Sequence, residues 1–245
     1  LDDNREFCIE MCFLDTVRIE FNPRRSIMHA ESVPEPTLRR LPTYHNYLSG
    51  LREKGEIMVS ASQIGGDLGV HHTQVRNDLA FTGSEGRPKV GHRIADLIAA
   101  IEGFLNWNNT TEAFLVGAGR LGTALMGEAG LEKAGVKIVA AFDVSARKIG
   151  QNAQGVSILS LDKFQDLARR MHITIGILTV PGEAAQGVAT LMAHSGIRAI
   201  WNLAPVELDV PEGIIVENLR LHSSLAVLSR KLAVKIHAEQ AANTI

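Results

Sequence analysis

Cysteine is scarce in this 245-residue chain, which has only Cys8 and Cys12. Neither has the further Cys or His partners that a zinc site requires, and their spacing does not establish a disulfide. A metal-stapled or disulfide-stapled scaffold is therefore not expected, and a reduced, cytoplasmic setting is the default. Long apolar runs are missing too. None approaches the roughly 20 residues of a membrane span, and Asp and Glu interrupt the opening apolar residues, against a signal peptide. Excess charge of either sign is also absent: the formal net charge is −2, with 45% hydrophobic residues. That excludes a disordered tail or a generally basic nucleic-acid coat but leaves room for a local basic face. The length admits one large domain or two small ones, and either can bury a core.

What is present is a dinucleotide-type fingerprint from Phe114 to Asp143. An apolar run, Phe114 to Val116, predicts a buried parallel strand. It feeds Gly117, Ala118, Gly119, Arg120, Leu121 and Gly122, then a helical segment, then a second apolar strand, Val136 to Phe142, ending at Asp143. In this β-α-β arrangement Gly117 permits the tight turn, Gly119 lets backbone amides reach a pyrophosphate, and Gly122 lets the helix approach the sheet. The anion is expected at the helix N-terminus, where N–H groups lack intrahelical acceptors. Asp143, about twenty residues on, is placed to bond ribose hydroxyls and repel a 2′-phosphate, favouring NAD(H) over NADP(H). Val144 and Lys148, just beyond the acid, are counted with the cofactor-binding residues. Glycines in an ordinary strand-to-helix turn would look similar in isolation; the flanking strands and the terminal acid make cofactor binding the expectation.

Upstream, residues 1–32 have no clear period. Met28, after Arg24 and Arg25, is a candidate natural start, which would make this stretch an extension without structural importance; the competing reading is a real but weakly ordered arm. From Val33, the residues Leu38, Leu41, His45, Leu48 and Leu51 recur at helical spacing, although Pro42 must start, bend or interrupt that helix. Ser60 to Gln63 resembles a capping box ahead of a short helix that Gly69 ends. A second helix follows, with Val75 and Leu79 on one face and Thr73, Gln74, Arg76 and Asn77 projecting elsewhere. Two short helices around a glycine turn fit a helix-turn-helix, and the basic, glycine-rich loop at Gly83 to Gly91 fits a wing over phosphates; a small helical bundle with a solvated loop fits the same segment. In the DNA-binding reading, Arg76 is a candidate for guanine and Gln74 for adenine, while Arg87 and Lys89 contact phosphates.

Ile94 to Phe104 predicts a further amphipathic helix, and Trp107 to Thr111 a linker. Thereafter strands and helices alternate: Ile173 to Val180, a helix after Glu183, Ala199 to Leu203, and Ile214 to Val216. That order predicts a mostly parallel, doubly wound sheet of the α/β class. The loops beyond its strand ends, with Thr179, Val180 and Pro181 and with Asn202, Leu203, Ala204 and Pro205, should border the cofactor. From Leu219, an apolar stripe through Leu221, Leu225, Leu228, Leu232 and Ile236 predicts a terminal helix that packs on its own domain or on a partner.

Taken together, VPEPTLRRLPTY, QVRNDL, the wing ending in VGH, VGAGRLG, AAFDV, LTVPGEAAQ and WNLAPVELDVPEG resemble the Rex redox-sensing transcriptional repressors. The resemblance covers roughly Val33 to Leu232. It implies a winged-helix DNA-binding domain (33–107), a Rossmann NAD(H)-binding domain (112–218) and a terminal helix (219–245) swapped across a homodimer. It also implies binding to an inverted-repeat operator in double-stranded DNA, released when NADH binds. The chain departs from the family pattern in the recognition segment, with Asn77 where a second basic residue is common and Phe81-Thr82-Gly83 for a usual Tyr-Phe-Gly, and at three switch positions. A tyrosine, an aspartate and an arginine that commonly exchange contacts on switching correspond to Glu128, Arg220 and Asn46. Either Glu128 and Arg220 form a replacement pair, or this is a paralogue with weak or lost NADH gating.

Two other functions fit parts of the chain. An NAD-dependent oxidoreductase would need a proton donor near the nicotinamide, and His172, His194 and His222 show no acid–base pairing, so no catalytic residue is assigned. A CoA-binding domain shares the strand–glycine–helix opening but leaves Asp143 and the winged segment without a role. No metal site is expected, because His71, His72 and His92 lack a ligand spacing.

Overall fold

A computed structural model describes residues 33–87 and 90–242. The extension with its candidate start at Met28, and Lys89 in the wing, lie outside the described residues. The chain divides into two compact units between Phe104 and Leu105. No helix among the described residues is long and apolar enough to cross a membrane.

In the first unit, α1 (Glu35–Glu53) runs unbroken through Pro42 and buries Thr37, Leu41, Tyr44 and Leu48. That face is rotated from the expected stripe: Leu38 is exposed, and the polar Thr37 and Tyr44 take core positions instead. After β1 (Met58–Val59), helix α2 (Ala61–Leu68) starts at Ser60, whose side chain accepts from the Gln63 amide at 3.0 Å. It ends at Gly69 in the left-handed conformation, φ 68°. Helix α3 (His72–Ala80) follows and buries Val75, Asp78 and Leu79. The turn between them is tight because Gly65 has no side chain: a Cβ there would lie 2.4 Å from the Val70 carbonyl oxygen. Strand β2 (His92–Arg93) pairs antiparallel with β1, and Arg87 bridges Gly91, which builds the wing. Helix α4 (Ile94–Phe104) closes the unit with Ile94, Leu97, Ile98 and Ile101 buried.

The second unit begins with the turn at Leu105–Asn109, part of which was expected to be linker. It folds against the Rossmann half instead: a Cβ at Gly135 would meet backbone atoms of Asn106, Trp107 and Asn109. Strand β3 (Thr111–Val116) leads to two short helices, α5 (Arg120–Met126) and α6 (Ala129–Lys133), and to β4 (Val136–Asp143). The hairpin β5 (Asn152–Ala153) and β6 (Val156–Ser160), absent from the sequence reading, covers one sheet edge. Helix α7 (Phe164–Arg170), β7 (Ile175–Leu178), α8 (Gly182–His194), β8 (Ala199–Asn202) and β9 (Ile215–Asn218) complete the layers, and α9 (Leu221–Ala242) follows.

The sheet order is β5-β6-β4-β3-β7-β8-β9, parallel except for the β5–β6 hairpin. Leaving out β5, the parallel strands taken in chain order read 3-2-1-4-5-6, the doubly wound arrangement. Its core holds a cluster of three aromatic rings, with Phe114 centred 4.9 Å from Phe142 and Phe142 5.0 Å from Phe164. The chain turns outward in opposite directions from β3 and β7, which are neighbours with Val116 opposite Leu178. Loops leaving these two strands must diverge, and the crevice between them is where such sheets bind ligands.

Candidate functional site: a nucleotide cleft and a helix-turn-helix face

The glycine turn leaves β3 beside the loop leaving β7. Gly117 has φ 106°, and a Cβ there would sit 2.7 Å from the Thr179 carbonyl oxygen, so conformation and space both require glycine. Thr179 fastens the two loops: its hydroxyl donates to the carbonyl of Gly117 at 2.8 Å and its amide to that of Val116 at 2.9 Å. A Cβ at Gly122 would fall 2.1 Å from the Gly117 carbonyl oxygen, so this glycine brings α5 down onto the turn. Gly119 is different. A Cβ there would meet nothing within 4 Å, which leaves the helix's first amides open to a ligand.

A cleft of about 510 Å³ lies over this junction, bordered by Gly117, Gly119, Arg120, Leu121, Asp143, Val144, Lys148, Thr179, Val180 and Pro181. Val116, Leu161, Ala184, Val188 and Leu203 complete its wall. Leu203 lies in a loop expected to border the cofactor; no sequence signal marked Leu161, Ala184 or Val188, because apolar residues lining a cleft look the same as core residues. Ala118 is buried beneath the turn. Asn202, Ala204 and Pro205 do not line the cleft. Buried Asn202 instead braces its loop, donating to the Val206 carbonyl and to Asn218 Oδ1, each at 2.8 Å, and accepting from the Ala204 amide at 3.0 Å. Ala204 and Pro205 border an adjoining hollow with Glu207 and Arg220.

Asp143 ends β4 at the cleft rim, 8% exposed. Its carboxylate accepts from Lys148 Nζ and from the Ser145 amide, each at 2.8 Å. Burial alone would raise its pKa. Those two bonds, the nearby Lys148 charge and the Ala118 amide outweigh burial and hold the group below the usual carboxylate value, ionised. The site therefore offers acceptors for two hydroxyls beside a cation, with the exposed apolar surface of Val144 next to them.

The first unit carries a separate face. Thr73, Arg76 and Asn77 are exposed on α3, and Arg76 and Arg87 border a groove of about 550 Å³ between that helix and the wing. Gln74 departs from expectation. Its Nε2 donates to Asp78 Oδ1 at 2.9 Å, which ties the amide to the core side of the helix. In the wing, the His92 ring packs under Gly86 and bonds the Ser84 hydroxyl at 3.1 Å, and burial lowers its pKa.

The three candidate switch positions do not come together within either unit. Asn46 is exposed on α1 in the first unit. Glu128 falls at the break between α5 and α6, where its carboxylate accepts from the Gly130 amide at 3.0 Å and caps α6. Arg220 pairs with Glu207 instead. A Glu128–Arg220 replacement pair, one of the two alternatives, is not formed within the subunit, because each charge has a local partner. His172 borders a hollow with Thr174 and Ser195, and His194 bonds the Thr190 carbonyl at 2.8 Å; neither lines the nucleotide cleft, and the His222 side chain lies outside the described residues. No group of three or more potential metal ligands occurs among the described residues.

Comparison with known proteins agrees with this two-part layout. Residues 32–80 match the family described as putative DNA-binding protein N-terminus, and residues 108–206 match the CoA binding domain family. The redox-sensing transcriptional repressor Rex of Bacteroides fragilis is 42% identical over 84% of this chain and 94% of its own. Rex of Treponema denticola is 38% identical over 85% of this chain and all of its own. The crystal structure of RSP, a Rex-family repressor, in complex with β-NAD+ and operator DNA matches with a TM-score of 0.78 at 32% identity, covering 85% of this chain and 96% of RSP. RSP with β-NADH gives a TM-score of 0.77 at 31% identity, covering 85% of this chain and 98% of RSP. Identity at this level across both units places the chain in the Rex family of redox-sensing transcriptional repressors.

Proposed function

We propose that this chain is an NAD(H)-responsive repressor that binds an inverted-repeat operator as a homodimer and releases it when NADH binds. The observation that carries the reading is one polypeptide holding both a glycine-turn cleft rimmed by an ionised Asp143 and a helix-turn-helix with an exposed polar stripe. In the cleft, the amides opening α5 would hold the pyrophosphate, Asp143 and Lys148 the adenosine ribose, and Val144 the face of the base. Val180, Pro181, Ala184 and Leu203 give the other half of the dinucleotide an apolar wall. A dinucleotide fits this donor set better than CoA, since an acid at this position favours a free ribose diol over a phosphorylated one.

Regulation without turnover is supported by the lining of the cleft. The Thr179 hydroxyl donates to backbone carbonyls and Asp143 is held ionised, so neither is set up as a proton donor. On DNA, Arg76 and its exposed neighbours on α3 would reach base edges, with Arg87 and Lys89 on phosphates. The dimer is supported by α9, whose Leu225, Leu228 and Leu232 are 58%, 62% and 54% exposed. A second copy that receives this helix would cover them and set the spacing of two recognition helices. Such a protein acts where DNA and NAD(H) meet, in the cytoplasm.

Gating requires that the reduced cofactor prefer the DNA-free shape; a hundredfold preference corresponds to roughly 3 kcal/mol of coupling. Titration of the full chain with NAD+ and with NADH, in the presence and absence of an operator duplex, tests this. NADH affinity should drop on DNA while NAD+ affinity does not. Equal ratios in both states would reject redox gating, and failure to bind either nucleotide would reject the cleft assignment.

A further inference from the structure

Helix α3 sorts its side chains sharply. Val75, Asp78 and Leu79 are buried, whereas Thr73, Arg76, Asn77 and Ala80 fall on an exposed stripe at i, i+3, i+4 and i+7. Gln74 is exposed as well, but its amide is committed to Asp78. Five hydrogen bonds converge on the Asp78 carboxylate. Oδ1 accepts from Thr37 at 2.9 Å, from Arg40 Nη2 at 2.8 Å and from Gln74 at 2.9 Å; Oδ2 accepts from Arg40 Nε at 2.6 Å and from Tyr44 at 2.7 Å. Asp78 is fully buried, so every donor it loses leaves a charged acceptor short of a partner inside the protein.

That sets two magnitudes against each other. A Gln amide reading adenine must present its oxygen and its nitrogen together to N6 and N7, for a discrimination of roughly five- to hundredfold. Turning the Gln74 amide outward to do so breaks a hydrogen bond to a buried charge, which costs a factor of roughly ten to a hundred. The gain is cancelled. Asn77 carries the same pair of groups on the exposed stripe, beside Arg76, and gives up no such bond.

We propose that Asn77, not Gln74, is the adenine reader of this recognition helix, and that Gln74 is a positioning residue that completes the Asp78 anchor to α1. Through Arg40, Tyr44 and Thr37 that anchor fixes the rotation of α3 about its own axis, which decides which side chains reach a base edge. The inference rests on the DNA-binding reading above and adds a base to it. Each half-site should contain an A·T pair specified by Asn77 in addition to a G·C pair specified by Arg76.

Selection of bound duplexes from a randomised pool by the full chain, with thermal unfolding as a check on each variant, tests the assignment. Asn77→Ala should flatten the preference for A at one position per half-site by roughly five- to hundredfold and leave the others unchanged. Asn77→Lys should move that position toward G. Gln74→Met, which keeps the length but lacks the amide, should weaken binding to all sequences alike and leave the base profile intact. A base position flattened by Gln74→Met, or an unchanged profile in Asn77→Ala, would overturn the proposal. If the unaltered chain selects no inverted repeat at all, the DNA-binding function itself fails, a result distinguishable from either.

Discussion

Three glycines within six residues have different jobs, and substitution separates them. Gly119 has an ordinary φ of −79° and open space where a side chain would go, so Gly119→Val should fold normally. The branched side chain would then occupy the path of the pyrophosphate, and NADH affinity should fall at least tenfold, about 1.4 kcal/mol, while DNA affinity of the cofactor-free protein stays the same. At Gly122 the order reverses: an added methyl meets the Gly117 carbonyl, so Gly122→Ala should lower stability by about 1–3 kcal/mol. Calorimetric titration and thermal unfolding of both variants check the pair, and a destabilised Gly119→Val would contradict the open approach. The turn at Gly117 and the close approach at Gly122 were legible in the sequence because they belong to the backbone, and glycine spacing specifies a backbone turn. Asp78 was not legible. Periodicity scores apolar side chains, so it put Leu38 and His45 on the inner face of α1 and passed over Thr37 and Tyr44, which are buried because they donate to a distant carboxylate. Asn202 shows the same limit, since the sequence placed it at the end of a strand but not which way its amide would bond.

Among the elements, α9 carries the clearest consequence. A helix of 22 residues with exposed Leu225, Leu228, Leu232 and Ile236 along one side is stable in water only when something covers that side. Fully burying each such side chain contributes about 1.5–3 kcal/mol, enough for a few of them to hold two subunits together. Leu228→Glu should raise the dimer dissociation constant at least a hundredfold, about 2.7 kcal/mol, as read by sedimentation or light scattering across a dilution series. A variant that stays dimeric at every concentration would remove α9 from the interface. The helix itself was evident from its period, but its partner was not, since the same stripe serves intramolecular packing. The edge hairpin β5–β6 went unread for a different reason: strands of two and five residues are too short for alternation to stand out. The break between α5 and α6 was hidden as well, because a glycine followed by a capping acid can equally sit inside a longer helix.

At the scale of the whole molecule, the division into two compact units predicts two separable responses. NADH held by the second unit should raise that unit's unfolding transition, by about 2.7 kcal/mol at a hundredfold excess over the dissociation constant. The winged unit's own transition should stay in place. Differential scanning calorimetry with and without NADH checks this, and equal movement of both transitions would mean that the units unfold as one. The order of the units was readable from the chain, whereas the stretch read as a linker, Trp107 to Thr111, opens the second unit, where the backbone of Trp107 and Asn109 lies against Gly135. The uncovered stripe of α9 also has a genetic corollary. In the proposed homodimer, subunits that meet through α9 would mix, and a subunit able to grip α9 but carrying Arg76→Ala would leave its companion with one recognition helix on the operator. Co-expressed with a normal copy, such an allele should behave as a dominant negative, derepressing target genes out of proportion to its dose.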